Sequence, residues 1–184
     1  MKVRFPIFMI TIIIVIIVSL SGFVVQINSV TGESPSPDLS RTEIIKLIAL
    51  SPETGLRLRG IQLQGANLQK LDLTRATLSD ADLSYTNLLN VILSDAKASH
   101  TDFSHSNMEF AVLDGADLYM ADLSNANLNH ATLIGVYLQS ANLQDAILEG
   151  AIIIDANLVG AIMPDGTMYN ENTDLRRFTH PQDY

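Results

Sequence analysis

The sequence of 184 residues contains no cysteine, which excludes several kinds of cross-link and site at once. Without a thiol, the chain has no disulfide framework, no cysteine-ligated zinc site and no cysteine for lipid attachment. The absence is compatible with an oxidising compartment but does not identify one.

Basic residues are also scarce between residues 56 and 170, which contain five basic and thirteen acidic residues and so have a net charge of −8. A nucleic-acid backbone requires cationic neutralisation, so we do not expect direct binding to nucleic acid. The sequence further lacks a Ser/His/Asp arrangement, a glycine-rich phosphate loop and a carboxylate pair on a helix. We therefore expect neither enzymatic activity nor a cofactor.

What the sequence has in abundance is a large apolar residue at every fifth position from Leu58 to Met168, interrupted only by Ala98. Five residues advance an α-helix by about 140° and reverse the face of a flat strand, so neither element would keep these side chains together. Both conflicts disappear if the backbone bends after each five-residue unit, with the apolar centre and the small residue two positions before it pointing inward. The period therefore predicts a solenoid.

A second period gives the number of sides in each coil. Asp-x-Ser recurs every twenty residues, and so does asparagine on another side, as at Asn67, Asn87, Asn107 and Asn127. Twenty residues are four units, so we expect four sides, with equivalent residues stacked at about 4.8 Å. The asparagines then form a candidate amide ladder.

The pattern A-(D/N)-L-x-x, as in Ala66-Asn67-Leu68 and Ala126-Asn127-Leu128, resembles the pentapeptide repeat family over residues 56–170. The resemblance implies an all-β fold, a right-handed quadrilateral β-helix with stacked leucine or phenylalanine inside. Ala98 departs from the pattern and should leave a packing shortfall. At five inward positions where the pattern has a small residue, this sequence has a larger one, which should make the coil bulge locally. These residues are Leu56, Ile61, Leu71, Val91 and Val136.

Residues 1–28 have two interpretations, a signal peptide or a transmembrane anchor. Lys2 and Arg4 precede the apolar residues 5–25. Residues 7–18, followed by Ser19-Leu20-Ser21, fit a signal peptide, whereas residues 5–25 are long enough for an apolar membrane-spanning helix. Either interpretation exports the repeats. We expect a protein that is membrane-anchored and faces outward, or one that is periplasmic, extracellular or in a thylakoid lumen.

Residues 29–55 should contain an extended Ser/Pro linker and then a short helix. Ser40-Arg41-Thr42-Glu43 fits a capping box, and apolar residues follow at helical spacing. We expect this helix to cap the first coil of the solenoid at residues 56–170. The turn residues of 164–166 should mark the last coil, and residues 171–184 should form a loose polar tail.

The outward positions contain two candidate surfaces with chemistry of interest. Asp82, Asp102 and Asp122 stack on one side, which suggests either weak calcium or magnesium binding or, as is common in the family, hydrogen bonding to nearby backbone. The histidines at 100, 105 and 130 fall on different sides, and no two of them stack, so we do not expect them to share a ligand.

An exposed apolar strip is predicted on another side, the kind of surface that marks a partner site. Its members flank the centres of successive coils and are Ile92, Val112, Thr132, Ile134, Ile152 and Ile154. The strip indicates binding to a protein partner or to another copy of the chain, unless residues 170–184 fold over it. We expect a non-catalytic scaffold or interaction module. The alternative is an acidic DNA mimic that regulates an enzyme such as DNA gyrase, as some members of the family do, which would require the repeats to stay in the cytoplasm.

Overall fold

The structure of the protein is a computed structural model that describes residues 15–19, 22–26, 39–50 and 55–180. The basic start at Lys2 and Arg4, the Ser/Pro linker of residues 29–38 and the last four residues lie outside this description. The predictions made for those segments are therefore not addressed by the fold.

Two short strands stand where the sequence suggested an apolar helix. β1 (Val15–Ser19) and β2 (Gly22–Gln26) pair antiparallel, with Val15 opposite Gln26 and Ser19 opposite Gly22. Two residues separate the strands, the commonest length for a hairpin connection, and valine and isoleucine favour the pleated backbone. Within the described ranges, no helix is both long enough and apolar enough to cross a membrane. The expected N-terminal apolar helix is not supported.

The predicted capping box begins the first helix, α1 (Arg41–Leu50). The Ser40 N–H donates to Glu43 Oε2 at 2.8 Å, and the Glu43 N–H donates to Ser40 Oγ at 3.4 Å. Hydrogen bonds from the Ser40 hydroxyl and N–H hold the pKa of Glu43 below its usual value. Leu39 and Ile44 are buried in the same core as the coil, so α1 caps the end of the solenoid.

The solenoid has four sides, which confirms the interpretation of the five- and twenty-residue periods. The centres from Leu58 to Leu143 donate their N–H to the next coil, as Leu83 does to Asp102 O at 2.7 Å, and from Thr77 to Ile162 the residue before a centre donates back to the previous coil. Parallel bridges join residues twenty apart. We name the sides by these ladders: side A is Arg57, Thr77, Lys97, Asp117, Tyr137 and Asn157; side B is Gln62, Asp82, Asp102, Asp122, Asn142 and Ile162; side C is Asn67, Asn87, Asn107, Asn127 and Ile147; side D is Asp72, Ile92, Val112, Thr132 and Ile152.

The corners between sides have one backbone conformation throughout. Every fifth residue from Gly55 to Gly160 has a positive φ, including bulky residues such as Phe110 and Met120. The residue after each of these corners usually donates its N–H to the preceding centre, as Ala66 does to Leu63 O at 2.9 Å. This is a β-turn whose third residue is left-handed, as in type II turns. These turns are what bend the chain after each unit.

Leucines fill most of the interior, and coils are counted from Leu56, so that residues 96–115 are the third coil. Ala98 is buried in the stack between Leu78 and Leu118, on the same side of neighbouring coils. Phe103 and Met108 are the next two centres of that coil and are fully buried. The small inward position is occupied by alanine in most units, and by hydroxyl residues at Thr86, Thr101 and Ser106.

The regular coil ends earlier than the sequence predicted. Met168 was expected to be the last centre, but its side chain is 66% exposed and it pairs antiparallel with Ile162. The turn of residues 163–167 includes Gly166 at φ +77°, and the Met163 N–H donates to Thr167 O at 2.7 Å. This turn contains one residue more than the five-residue period requires. With that extra residue, the chain reverses its direction instead of starting another side.

The described part of the C-terminal segment is more ordered than the loose tail that the sequence predicted. It contains one helical turn, α2 (Arg176–Thr179), and its side chains Leu175 and Phe178 pack against the core of the coil. The Gly150 N–H donates to Thr179 O at 2.7 Å, which fixes the segment to a corner between sides C and D. Arg177 forms an ion pair with Asp165.

Candidate functional site

Side D carries the apolar strip. We use "side D strip" for Ile92, Val112, Ile134, Ile152 and Ile154, of which the four isoleucines are 37%, 40%, 44% and 51% exposed in that order. Val112 is half-buried, and the ladder places Ile92, Val112, Thr132 and Ile152 on successive rungs about 4.8 Å apart. Residues 170–180 leave these side chains accessible, so the described part of the tail does not cover the strip.

The acidic stack lies on side B, with Asp82, Asp102 and Asp122 on adjacent rungs. Their Oδ1 atoms accept the N–H of the serine two residues later in the chain, at 3.0, 2.8 and 2.9 Å. Asp122 Oδ1 also accepts Asn142 Nδ2 at 3.2 Å. In the part of the chain that the structure describes, no group of three or more histidine, aspartate or glutamate side chains is placed to hold a metal ion. The carboxylates stabilise the turns of their own units, as Asx turns do.

The asparagine column of side C combines the same turn with a contact between coils. Asn87 Oδ1 accepts the Leu89 N–H at 3.2 Å, and Asn127 Oδ1 accepts the Asn129 N–H at 3.1 Å. Asn127 Nδ2 donates to Asn107 Oδ1 at 3.2 Å, the kind of amide bond that a ladder requires. These amides satisfy one another and the backbone.

Each of three histidines packs against an aromatic ring on a neighbouring coil. Tyr85 and His105 stack with ring centroids 4.6 Å apart, and Phe110 and His130 stack at 5.1 Å. His100 meets Tyr119 edge-on at 5.6 Å. The histidines lie at three different corners, separate from one another. These pairs were not predicted from the sequence, although the residues of each stacked pair are twenty apart and so lie on the same corner of neighbouring coils.

The family model for pentapeptide repeats matches residues 57–95, 92–129 and 126–165 of this chain. This match covers more than half of the sequence and the whole regular coil. The chain belongs to the pentapeptide repeat family. No curated protein matches the sequence.

This pentapeptide repeat protein is similar to several solved structures. A trypsin-treated form of QnrB1, described as a plasmid-mediated fluoroquinolone resistance protein, is 22% identical, with a TM-score of 0.50 over 58% of this chain. The similarity spans 57% of that chain, a little over half of its length. Rfr23 from the cyanobacterium Cyanothece 51142 is 30% identical over 71% of this chain and 100% of that chain, with a TM-score of 0.40. A protein from the Arabidopsis thaliana thylakoid lumen is 26% identical over 62% of this chain and 72% of that one, with a TM-score of 0.42.

Proposed function

We propose that this pentapeptide repeat protein is an exported, non-catalytic scaffold that binds a protein partner through side D. The observation that carries the proposal is the exposure of the side D strip. The coil already encloses its leucine columns, so these outward isoleucines are not needed for the interior. A contiguous apolar surface of this kind on a folded protein is typical of an interaction site.

The local use of the reactive side chains supports a non-catalytic role. The carboxylates of side B accept hydrogen bonds from their own turns, and His105 and His130 each stack on an aromatic ring. General acid–base catalysis needs a titratable group aimed at a substrate from within a shaped site. The acidic and histidine side chains described above serve the coil instead.

The basic start and apolar run of residues 1–28 support the proposed export. Fractionation of the producing cells and protease treatment of intact cells test it, and the mass of the mature chain distinguishes a cleaved signal from an anchor. We expect the repeats outside the cytoplasm. Recovery of the full-length chain as a soluble cytosolic protein would contradict the proposal.

Capture from an envelope extract with the full-length chain tests the role of side D. We expect the double variant Ile92→Asp/Ile152→Asp to lose the captured partner. Ile147→Asp is the matched control, because Ile147 is also exposed and lies in a ladder, but on side C. Equal capture by the wild type and the double variant would remove side D from the proposal.

The acidic character of the coil supports one alternative, a DNA mimic that regulates an enzyme such as DNA gyrase. The balance of −8 and the three stacked aspartates of side B favour it. It requires the repeats to remain in the cytoplasm. A supercoiling assay tests it directly: inhibition or protection of gyrase that is lost on Asp102→Asn would replace the scaffold proposal.

A further inference from the structure

Net positive charge is found at one end of the molecule. Residues 39–75, which include α1 and the first coil, contain six basic and three acidic residues and have a net charge of +3. Residues 76–184 contain three basic and fifteen acidic residues and have a net charge of −12. The second to fifth coils carry −3, −2, −2 and −3 in that order. The rod therefore has a basic N-terminal end, and every later coil up to residue 155 is acidic.

The helix at this end, α1, has two different faces. One face packs against the core of the coil and includes Ile44, which is fully buried. The outer face carries Ile45 and Leu50, which are 44% and 60% exposed, with Lys46 exposed between them. Apolar side chains combined with a cation on the free face of a helix are typical of helices that lie in a membrane interface.

Further cations surround α1 on the first coil. Lys70 and Arg75 occupy the corners between sides C and D and between sides D and A, and both are exposed. Arg57 and Arg59 lie on side A, where Arg59 forms an ion pair with Asp80 at 2.9 Å. The basic side chains are thus distributed around the end of the rod, where a broad surface laid across that end meets them together with α1.

The acidic residues of this end are fewer, and the described ones bond to their own turns. Glu43 Oε2 accepts the Ser40 N–H at 2.8 Å, and Asp72 Oδ1 accepts the Thr74 N–H at 3.0 Å. The third acidic residue, Glu53, lies outside the described residues. Because three carboxylates offset only half of the six basic charges, the end remains cationic.

We propose that the α1 end of the rod docks on an anionic lipid surface. The apolar side chains of α1 enter the boundary between headgroups and acyl chains, and the surrounding cations contact lipid phosphates. The same surface repels the acidic coils, so the rod stands on its N-terminal end with its four sides accessible. This surface is separate from side D, and the inference goes beyond the proposed binding of a protein partner.

The position of the apolar run in the sequence favours a lipid surface over an acidic protein. Fifteen residues separate residues 5–25 from the start of α1 at Arg41. A chain of that length reaches at most ~50 Å. The proposed membrane anchor would therefore hold the basic end, and not the acidic end, near the membrane. This one argument rests on the proposed anchor, whereas the charges and the outer face of α1 do not.

The small size of each contribution makes the docking reversible and sensitive to salt. A lysine or arginine close to an anionic surface strengthens binding by about fivefold. Charges separated from the surface by more than ~8 Å are largely screened at physiological ionic strength. Lys97 lies two rungs, ~10 Å, beyond the first coil on side A, so its contribution should be small.

Binding of the full-length chain to vesicles of phosphatidylcholine, alone or mixed with phosphatidylglycerol, tests the proposal. We expect phosphatidylglycerol to strengthen binding, and Lys46→Gln/Lys70→Gln/Arg75→Gln to weaken binding to the mixed vesicles by about tenfold or more. The single variants Lys70→Gln and Lys97→Gln are a matched pair of exposed lysines, of which only the first should weaken binding. Binding that ignores phosphatidylglycerol, or that is equal for the wild type and the triple variant, would overturn the proposal.

A second measurement determines which end meets the lipid. Because the chain has no cysteine, Ala49→Cys on α1 and Val159→Cys on the last coil each provide a single site for a fluorophore. The two sites are separated by the length of side A, five steps or ~24 Å. We expect lipids with a nitroxide on the headgroup to quench the label at residue 49 and to leave the label at residue 159 bright. Equal quenching would establish side-on contact and overturn the upright arrangement.

This proposal and the role of side D fail in different ways. If vesicle binding is independent of the cations while capture still depends on Ile92 and Ile152, the lipid surface is wrong and the partner surface stands. If the triple variant loses only vesicle binding, the lipid surface is supported whatever the outcome for side D. Capture of an acidic protein that requires Lys46, Lys70 and Arg75, without any effect of phosphatidylglycerol, would assign this end to a protein instead. Circular dichroism of each variant shows whether the coil remains folded.

Discussion

Two buried hydroxyl groups in the third coil differ in their hydrogen bonding, which predicts opposite effects on stability. Thr101 and Ser106 both occupy the small inward position, one unit apart. Thr101 Oγ1 donates to Leu78 O at 2.7 Å. Ser106 Oγ is buried with no hydrogen-bond partner among the residues that the structure describes.

The magnitudes follow from these contacts. Thr101→Val keeps the volume and removes one buried hydrogen bond, which costs about 1 kcal/mol of unfolding free energy. The Leu78 carbonyl still accepts the Ala81 N–H at 3.0 Å, so the loss should not exceed this value. Ser106→Ala removes a buried hydroxyl that pairs with no group among the described residues, and this should stabilise the coil by about 1 kcal/mol.

Thermal and urea unfolding of the full-length chain, followed by circular dichroism, measures both changes. We expect the midpoints of the two variants to move in opposite directions, by roughly 2–5 °C each. Thr86→Val is a second reference, because Thr86 Oγ1 donates to Leu83 O at 2.6 Å and its loss should resemble that of Thr101. A Ser106→Ala variant that is destabilised as much as Thr101→Val would refute the reasoning.

Three further predictions concern the core, the cap and the corners. Ala98→Leu should raise stability by roughly 1–2 kcal/mol by filling the leucine stack, and an unchanged or lower melting temperature would show that no space is left. The pKa of Glu43 is lower in the folded chain than its ordinary value of 4.5, so the ionised side chain stabilises the fold fully above pH 4.5 and loses this effect as the pH falls through the lowered pKa. Glu43→Gln should therefore reduce the fall of the melting temperature at acid pH. Gly150→Ala should lower stability more than Gly135→Ala, because both positions have positive φ but only at Gly150 would the added Cβ collide with His130 Nδ1. Equal losses would mean that the ring moves freely.

Much of the coil could be predicted because its strongest signal is periodic. Leucine every five residues and asparagine every twenty residues define the unit and the number of units per coil, and the bridges such as Asn87 to Asn107 follow. The capping box at Ser40 and Glu43 was equally readable, because its two hydrogen bonds depend on local spacing alone.

The remaining features of the fold depend on contacts that a periodic pattern does not predict. A run rich in valine and isoleucine is compatible with either an apolar helix or a strand, and here it forms the two strands β1 and β2. The regular coil ends at Met163 because the following turn contains one added residue, and the spacing of apolar positions does not show that residue. The ring pairs at His105 and His130 join side chains at the corners, outside the apolar columns, so the apolar period does not predict them.

The turn at Gly166 shows how the length of such a rod is controlled. Duplicating twenty residues would lengthen the rod by a full turn and leave both ends, with α1 and the C-terminal segment, unchanged. Inserting a single residue would instead shift the phase of everything after it, and the chain would turn back as it does after Met163. The protein can therefore grow in whole turns, and each end keeps its own cap while the outer faces between them become longer.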